Sequence, residues 1–214
     1  MNFKTFLAIA LLLVLASCHK DPVSSPVAPE SPAKPLADNY HLTKGSYWIY
    51  QVYDVDTLNN YTLRPALDSC YISRDSVIRG NTCHFRTGTY FGIAGIWQLY
   101  LRDSSGWLVD ESGYRYSNVN GVAIVETAAV VNNNPYSTAI SMLPGKQMIT
   151  VPAGTFGCLE ALATYKDTNP QFSWQVLRNC YDEFAPGIGS IRQTAFYHSQ
   201  QNHMERRLLR YHLQ

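Results

Sequence analysis

From Tyr40 onward the chain is patterned for extended structure. In SYWIYQVYDV (residues 46–55), Tyr47, Ile49, Gln51 and Tyr53 fall on one side of a strand, and Trp48, Tyr50 and Val52 on the other. Both sides are largely apolar, which predicts a central strand. Similar runs follow, divided by short turn signals. LDSCYISRDSVI meets TCHFRTGTYF across Arg79-Gly80-Asn81, and IWQLYLRD meets GWLVDE across Ser104-Ser105-Gly106. GYRYSNV and GVAIVETAAVV flank Asn120-Gly121. MITVPAGTFGCLEALATYK meets QFSWQVLRNCYDEF across Asp167 to Pro170, and GSIRQTAFYHS meets HMERRLLRYHL across Gln200 to Asn202. Strands joined by turns this short predict an antiparallel meander. CLEALATYK contains good helix formers, but Thr164, Tyr165 and the flanking turns favour a strand. A single helix fits around Tyr136–Met142. The expected fold is all-β and mainly antiparallel: a single curved sheet, open half-barrel or sandwich, with at most one or two short helices.

The first residues break this pattern. Lys4 precedes an unbroken apolar run, Phe6 to Leu15. Ten residues are too few to span a bilayer, which takes about 20, but they suit the apolar region of an export signal. Leu15-Ala16-Ser17-Cys18 then resembles the lipobox of bacterial lipoproteins. That resemblance implies cleavage before Cys18, acylation of its thiol and acylation of the new amino group. The alternative is an ordinary secretory signal that happens to contain a cysteine. Two or more acyl chains hold a protein stably on a membrane, whereas one does so only marginally. Behind Cys18, Asp21 to Leu36 carries Pro22, Pro26, Pro29, Pro32 and Pro35 among Ser and Ala. Such a segment stays extended and unpaired, and reaches about 50 Å at polyproline spacing. The expected organisation is a signal at 1–17, a lipidated cysteine and tether at 18–38, and one β domain at 39–214.

Charge narrows the partners. The chain holds 17 Lys and Arg against 16 Asp and Glu, and losing Lys4 with the signal leaves 16 against 16. A neutral chain does not suit nucleic acid, whose phosphates require a basic surface. Aromatic residues make up 13% and charged residues 15%, the latter below the usual quarter, which fits a β-rich domain outside the cytosol.

An exported chain with Cys70, Cys83, Cys158 and Cys180 beyond the lipobox suggests disulfides. A hairpin placing Cys158 opposite Cys180 centres on Asn169, where the turn signal lies, so that bridge is expected. Cys70 and Cys83 centre between Ser76 and Val77, away from Gly80; they pair by elimination, or they remain two buried thiols. No C-x-x-C spacing supports zinc or dithiol redox chemistry.

Four segments carry a family resemblance. HLTKGSYWIY (residues 41–50) resembles the L-x-x-G-x-x-W-x-Y opening of many uncharacterised outer-membrane lipoproteins of diderm bacteria. VPAGTF (151–156), EFAPGIGSI (183–191) and RRLLRY (206–211) resemble their C-terminal half. The resemblance implies an outer-membrane anchor through Cys18, with either face of that membrane open to the domain. It carries no catalytic residues, and some members are similar to open β-barrel carriers of the LolA/LolB kind. Physically, Pro152 and Gly154 permit a kink at a strand entrance, and Pro186, Gly187 and Gly189 permit a tight turn or bulge. They read as architectural joints.

No catalytic constellation emerges. His198 and His203 fall on opposite faces of their hairpin. Asp54–Asn60 lacks the glycine and distal glutamate of a calcium loop. Asp110-Glu111 and Asp182-Glu183 are adjacent, so their side chains diverge in a strand. Trp48, Trp97, Trp107 and Trp174 belong to the core, line an apolar cleft or stack on sugars. The expectation is a non-enzymatic envelope lipoprotein without cofactor or metal. It binds an apolar or lipid ligand in a β groove, or else a glycan or partner protein at the envelope surface.

Overall fold

The computed structural model describes residues 40–104, 107–118, 125–131, 134–167, 177–197 and 200–214. Cys18, the tether, the Asn120-Gly121 turn, Trp174 and His198 lie outside the described residues.

The described residues form twelve strands and no helix. In chain order these are β1 (Tyr47–Val55), β2 (Tyr61–Ile78), β3 (Asn81–Tyr90), β4 (Ile93–Ser104), β5 (Trp107–Asp110) and β6 (Arg115–Asn118). The second half holds β7 (Val125–Val131), β8 (Asn134–Val151), β9 (Gly154–Asp167), β10 (Arg178–Ala185), β11 (Gly189–Phe196) and β12 (His203–His212). All join one antiparallel sheet in the order β6-β5-β4-β3-β2-β1-β12-β11-β10-β9-β8-β7. Consecutive strands pair with each other except β6 and β7, which form the two edges, and the β1–β12 pairing joins the first and last strands. β6 returns alongside β8, so the sheet nearly closes into a barrel with one seam. The sandwich alternative is thereby set aside. A barrel of about eight strands is just filled by its own side chains; twelve leave room inside.

The alternation expected in β1 holds. Trp48, Tyr50 and Val52 are buried and Tyr47 is exposed. At the β2–β3 hairpin, Arg79 and Gly80 both adopt positive φ, 51° and 78°, the pairing a two-residue turn requires. Tyr136–Met142, which a helix fitted, belongs instead to β8 and pairs with Ala161–Asp167 of β9. Pro152 and Ala153 form the turn between β8 and β9, with Val151 opposite Gly154.

Residues 41–50, 151–156, 183–191 and 206–211 meet in one packed region. The Trp48 indole donates to the Ile188 carbonyl at 2.7 Å, and the Tyr50 hydroxyl to the Ser190 carbonyl at 3.1 Å. Gly189, at φ 112°, sits between these contacts; a Cβ there would stand 3.2 Å from the Trp48 indole nitrogen. The Ala153 N–H donates to the Leu208 carbonyl at 3.0 Å. Trp48, Tyr50, Val151, Phe184, Ile191 and Leu208 share one buried cluster.

The cysteines require a correction. All four described cysteines are free thiols. Cys180 faces Ala163, five residues along β9 from Cys158, which itself faces Gln147. An odd offset along a regular strand puts the two side chains on opposite faces. Cys83 faces Ser76 and Cys70 faces Gly88, so these two are not juxtaposed; they are the two buried thiols that the sequence left as the alternative.

Candidate ligand-binding cavity

Two adjoining cavities, of about 420 and 210 Å³, lie against the inner face of the sheet. They share a wall of Tyr40, Tyr90, Trp97, Tyr116, Asp182 and Gln193. Strand phase explains the room. β9 turns Ala161 and Ala163 inward opposite Asp182 and Cys180 of β10, and small side chains leave the larger chamber empty there. Ile140 and Tyr165 complete its apolar side. The larger volume falls in the range of about 300–1,000 Å³ usual for small-molecule sites. Tyr90 and Trp97 pack with ring centroids 5.2 Å apart, and Tyr116 donates to Asp110 at 3.1 Å.

The smaller chamber carries the charges. Arg206 and Arg86 both line it, with Cys70 and Gly88. Arg206 is 1% exposed and held on several sides. Its guanidinium lies 4.6 Å from the ring centroids of Tyr50 and of Tyr90, and 5.2 Å from that of Phe91. It donates to Gln193 Oε1 and stands 3.6 Å from Asp68 Oδ2. Asp68, also buried, accepts the backbone N–H groups of Phe91 and Gly92.

Asp182 differs. Tyr40 donates to its Oδ2 at 3.3 Å, but Oδ1 is closed off without a hydrogen-bond partner. Ser190 stands near it outside bonding geometry, its own Oγ also unpartnered. Burial pushes the Asp182 carboxyl above its ordinary range; Ser190, Gln193, Arg206 and Arg86, which favour the ionised form, do not offset it. Burial also pushes the Cys180 thiol up to about 11, against the opposing pull of the Phe196 backbone hydrogen bond and then of Arg178 and Thr194. Cys158 is pushed up to about 12 by burial and then by the Glu183 charge. Neither thiol is poised as a nucleophile.

The adjacent acids diverge as expected: Asp182 faces the cavity, while Glu183 pairs with Arg192. Trp97 lines both chambers, Trp48 braces the core, and Trp107 packs under Arg115 at 4.9 Å. The described histidines are dispersed; His84 bonds Asp75 at 2.9 Å, and His41 bonds the Gln214 carbonyl. Arg86, Arg206 and Gln193 were not singled out by the sequence. Their inward phase on β3, β12 and β11 is legible, but only closure of the sheet brings them together.

No protein-family model matches the chain, and no curated protein matches it. Among solved structures it is similar to a "putative lipoprotein" from Parabacteroides distasonis ATCC 8503. That likeness has a TM-score of 0.56 at 15% identity and covers 81% of this chain and 98% of the other. A second similar structure is a "putative exported protein with YmcC-like fold" from Bacteroides fragilis NCTC 9343. It is 13% identical, with TM-score 0.47 and the same coverage of 81% and 98%. The first likeness shows a shared fold.

Proposed function

We propose that the chain is a non-enzymatic lipoprotein of the cell envelope, held at the outer membrane by acylated Cys18, whose barrel binds an apolar small molecule. The cavity of about 420 Å³, walled by tyrosines, Trp97, Ile140 and alanines, is the observation that carries the binding role. The lipobox-like Leu15–Cys18 and the proline-rich tether carry the anchor. A fold shared with a protein described as a lipoprotein supports the same reading. The test has two arms. A clickable fatty acid fed to the host should label the wild type and not Cys18→Ser; an unlabelled wild type refutes the anchor. Residues 18–214 carrying Cys18→Ser should bind the apolar fluorophore N-phenyl-1-naphthylamine and retain a host ligand in native mass spectrometry. Failure of both refutes the cavity's role.

A second reading rests on a different surface. Tyr47, Tyr61, Leu63, Leu67 and Tyr71 are exposed on the face of β1 and β2 opposite Trp48. Exposed aromatic and aliphatic groups in a row favour a glycan or partner protein at the envelope. Their truncation to Ala would then abolish envelope binding while leaving the fluorophore site intact.

A further inference from the structure

The cavity's two arginines separate the chemistry it can accept. Arg206 is held by Gln193, Asp68 and three aromatic rings. Arg86, on β3, has no such set. Its Nη2 donates to Cys70 Sγ at 3.5 Å, and it joins no ion pair among the described residues. A thiol is a weak acceptor, and a guanidinium carries five N–H donors. Gly88 fixes this arrangement. A Cβ there would stand 1.9 Å from the Ser69 carbonyl oxygen and 2.7 Å from Cys70 Cα, so only glycine lets β2 and β3 approach so closely and set Cys70 beside Arg86.

The other carboxylate in this wall does not complete the pair. Asp182 lines the same chamber but makes no ion pair with Arg86, and its Oδ1 is unpartnered. Burial works against its ionised form, and no carboxylate of the described residues stands within ion-pairing distance of Arg86. A buried charge is costly unless paired and hydrogen-bonded. The missing acceptor has room to enter, because the space beside Arg86 opens past Tyr90, Trp97 and Asp182 to the larger apolar chamber.

We propose that the ligand of this cavity is an apolar molecule with a single anionic head, the head on Arg86 and the apolar portion in the larger chamber. This inference rests on the cavity being a ligand site. An aliphatic carboxylate meets the requirement: its planar oxygens match the guanidinium fork, and a chain of methylenes fits a wall of Ile140, Ala161 and Ala163.

The experiment uses residues 18–214 with Cys18→Ser and compares decanoate with decan-1-ol as competitors of N-phenyl-1-naphthylamine, at about pH 8, where the carboxylate is ionised. A hydrogen bond to a charged group contributes about 1.5–3 kcal/mol, so decanoate should bind roughly ten- to a hundredfold more tightly than decan-1-ol. Arg86→Met should abolish that preference and leave decan-1-ol and the fluorophore unchanged, and Arg86→Lys should restore part of it. Retained fluorophore binding shows that each variant has folded. Equal affinities in the wild type, or a preference that survives Arg86→Met, overturn the anionic head while the apolar site stands. Binding of neither competitor nor fluorophore overturns the site itself and this inference with it.

Discussion

Two arginines, Arg206 buried and Arg86 half-buried, share one chamber, and their surroundings could hardly differ more. Arg206 is caged by Tyr50, Tyr90 and Phe91, bonded to Gln193 and placed against Asp68, whose oxygens are themselves held by backbone N–H groups. Arg86 has a sulfur, and Asp182 near it keeps one oxygen unpartnered. The first set is closed and reads as architecture: it ties β12 to β1, β2, the end of β3 and β11. The second set is open and reads as a site. In a barrel interior, then, a charge by itself says little about function; how completely the protein answers it says more.

Removing Arg206 should have the largest effect. Arg206→Met leaves Asp68 buried without its cation and withdraws a group packed on three rings. Losing one partner of a buried pair costs about 3–5 kcal/mol, read as a lower urea midpoint. Adding Asp68→Asn should recover part of the loss, since the double variant buries no unpaired charge. An Arg206→Met protein as stable as wild type would dissolve the contrast.

Asp182→Asn should act in the opposite direction and more weakly. The folded pKa of Asp182 lies above its unfolded value of about 3.9. Its protonated form is therefore accommodated in full below that value, and stability is lost as pH rises through the folded pKa. Asparagine removes this dependence. The variant should exceed the wild type at neutral pH by about 1–2 kcal/mol, the scale of relieving one badly solvated polar group. The gap should close in acid. Glu160, also raised chiefly by burial, is common to both proteins and cancels in the difference. A gap that widens in acid would mean that Arg86 or Arg206 holds Asp182 ionised after all.

Much of this fold was legible in the sequence, and its gaps have physical causes. Alternation assigned the faces of β1, and Arg79-Gly80 marked a hairpin, because both depend on residues close along the chain. β8 was only partly legible: a helix fitted Tyr136–Met142, and the strand pattern began at Met148. The strand absorbs Pro144-Gly145 as an irregularity, its register shifting between Leu143 and Gln147. The Cys158–Cys180 bridge failed for a related reason. A turn signal locates a hairpin only within a few residues, and an odd offset in register reverses a side chain's face. The cavity was the least legible part. Phase shows that Arg86, Asp182, Gln193 and Arg206 share a face, but their level around the barrel depends on how the sheet closes.

Arg86→Met should have the smallest effect on the empty protein and is the most discriminating test. If Arg86 were a second structural cation, its loss would resemble that of Arg206. If it is unanswered, replacing it with an apolar side chain of similar length removes a desolvated charge and exposes no partner. Such replacements are neutral or stabilising, here by about 1 kcal/mol at most. Ligand should then reverse the order. Decanoate at a hundred times its dissociation constant should stabilise the wild type by about 2.7 kcal/mol, while Arg86→Met, with its weakened site, gains far less. Thermal melts of both proteins with and without decanoate give all four values. A crossing of the two melting temperatures marks Arg86 as a binding residue; parallel shifts make it part of the scaffold.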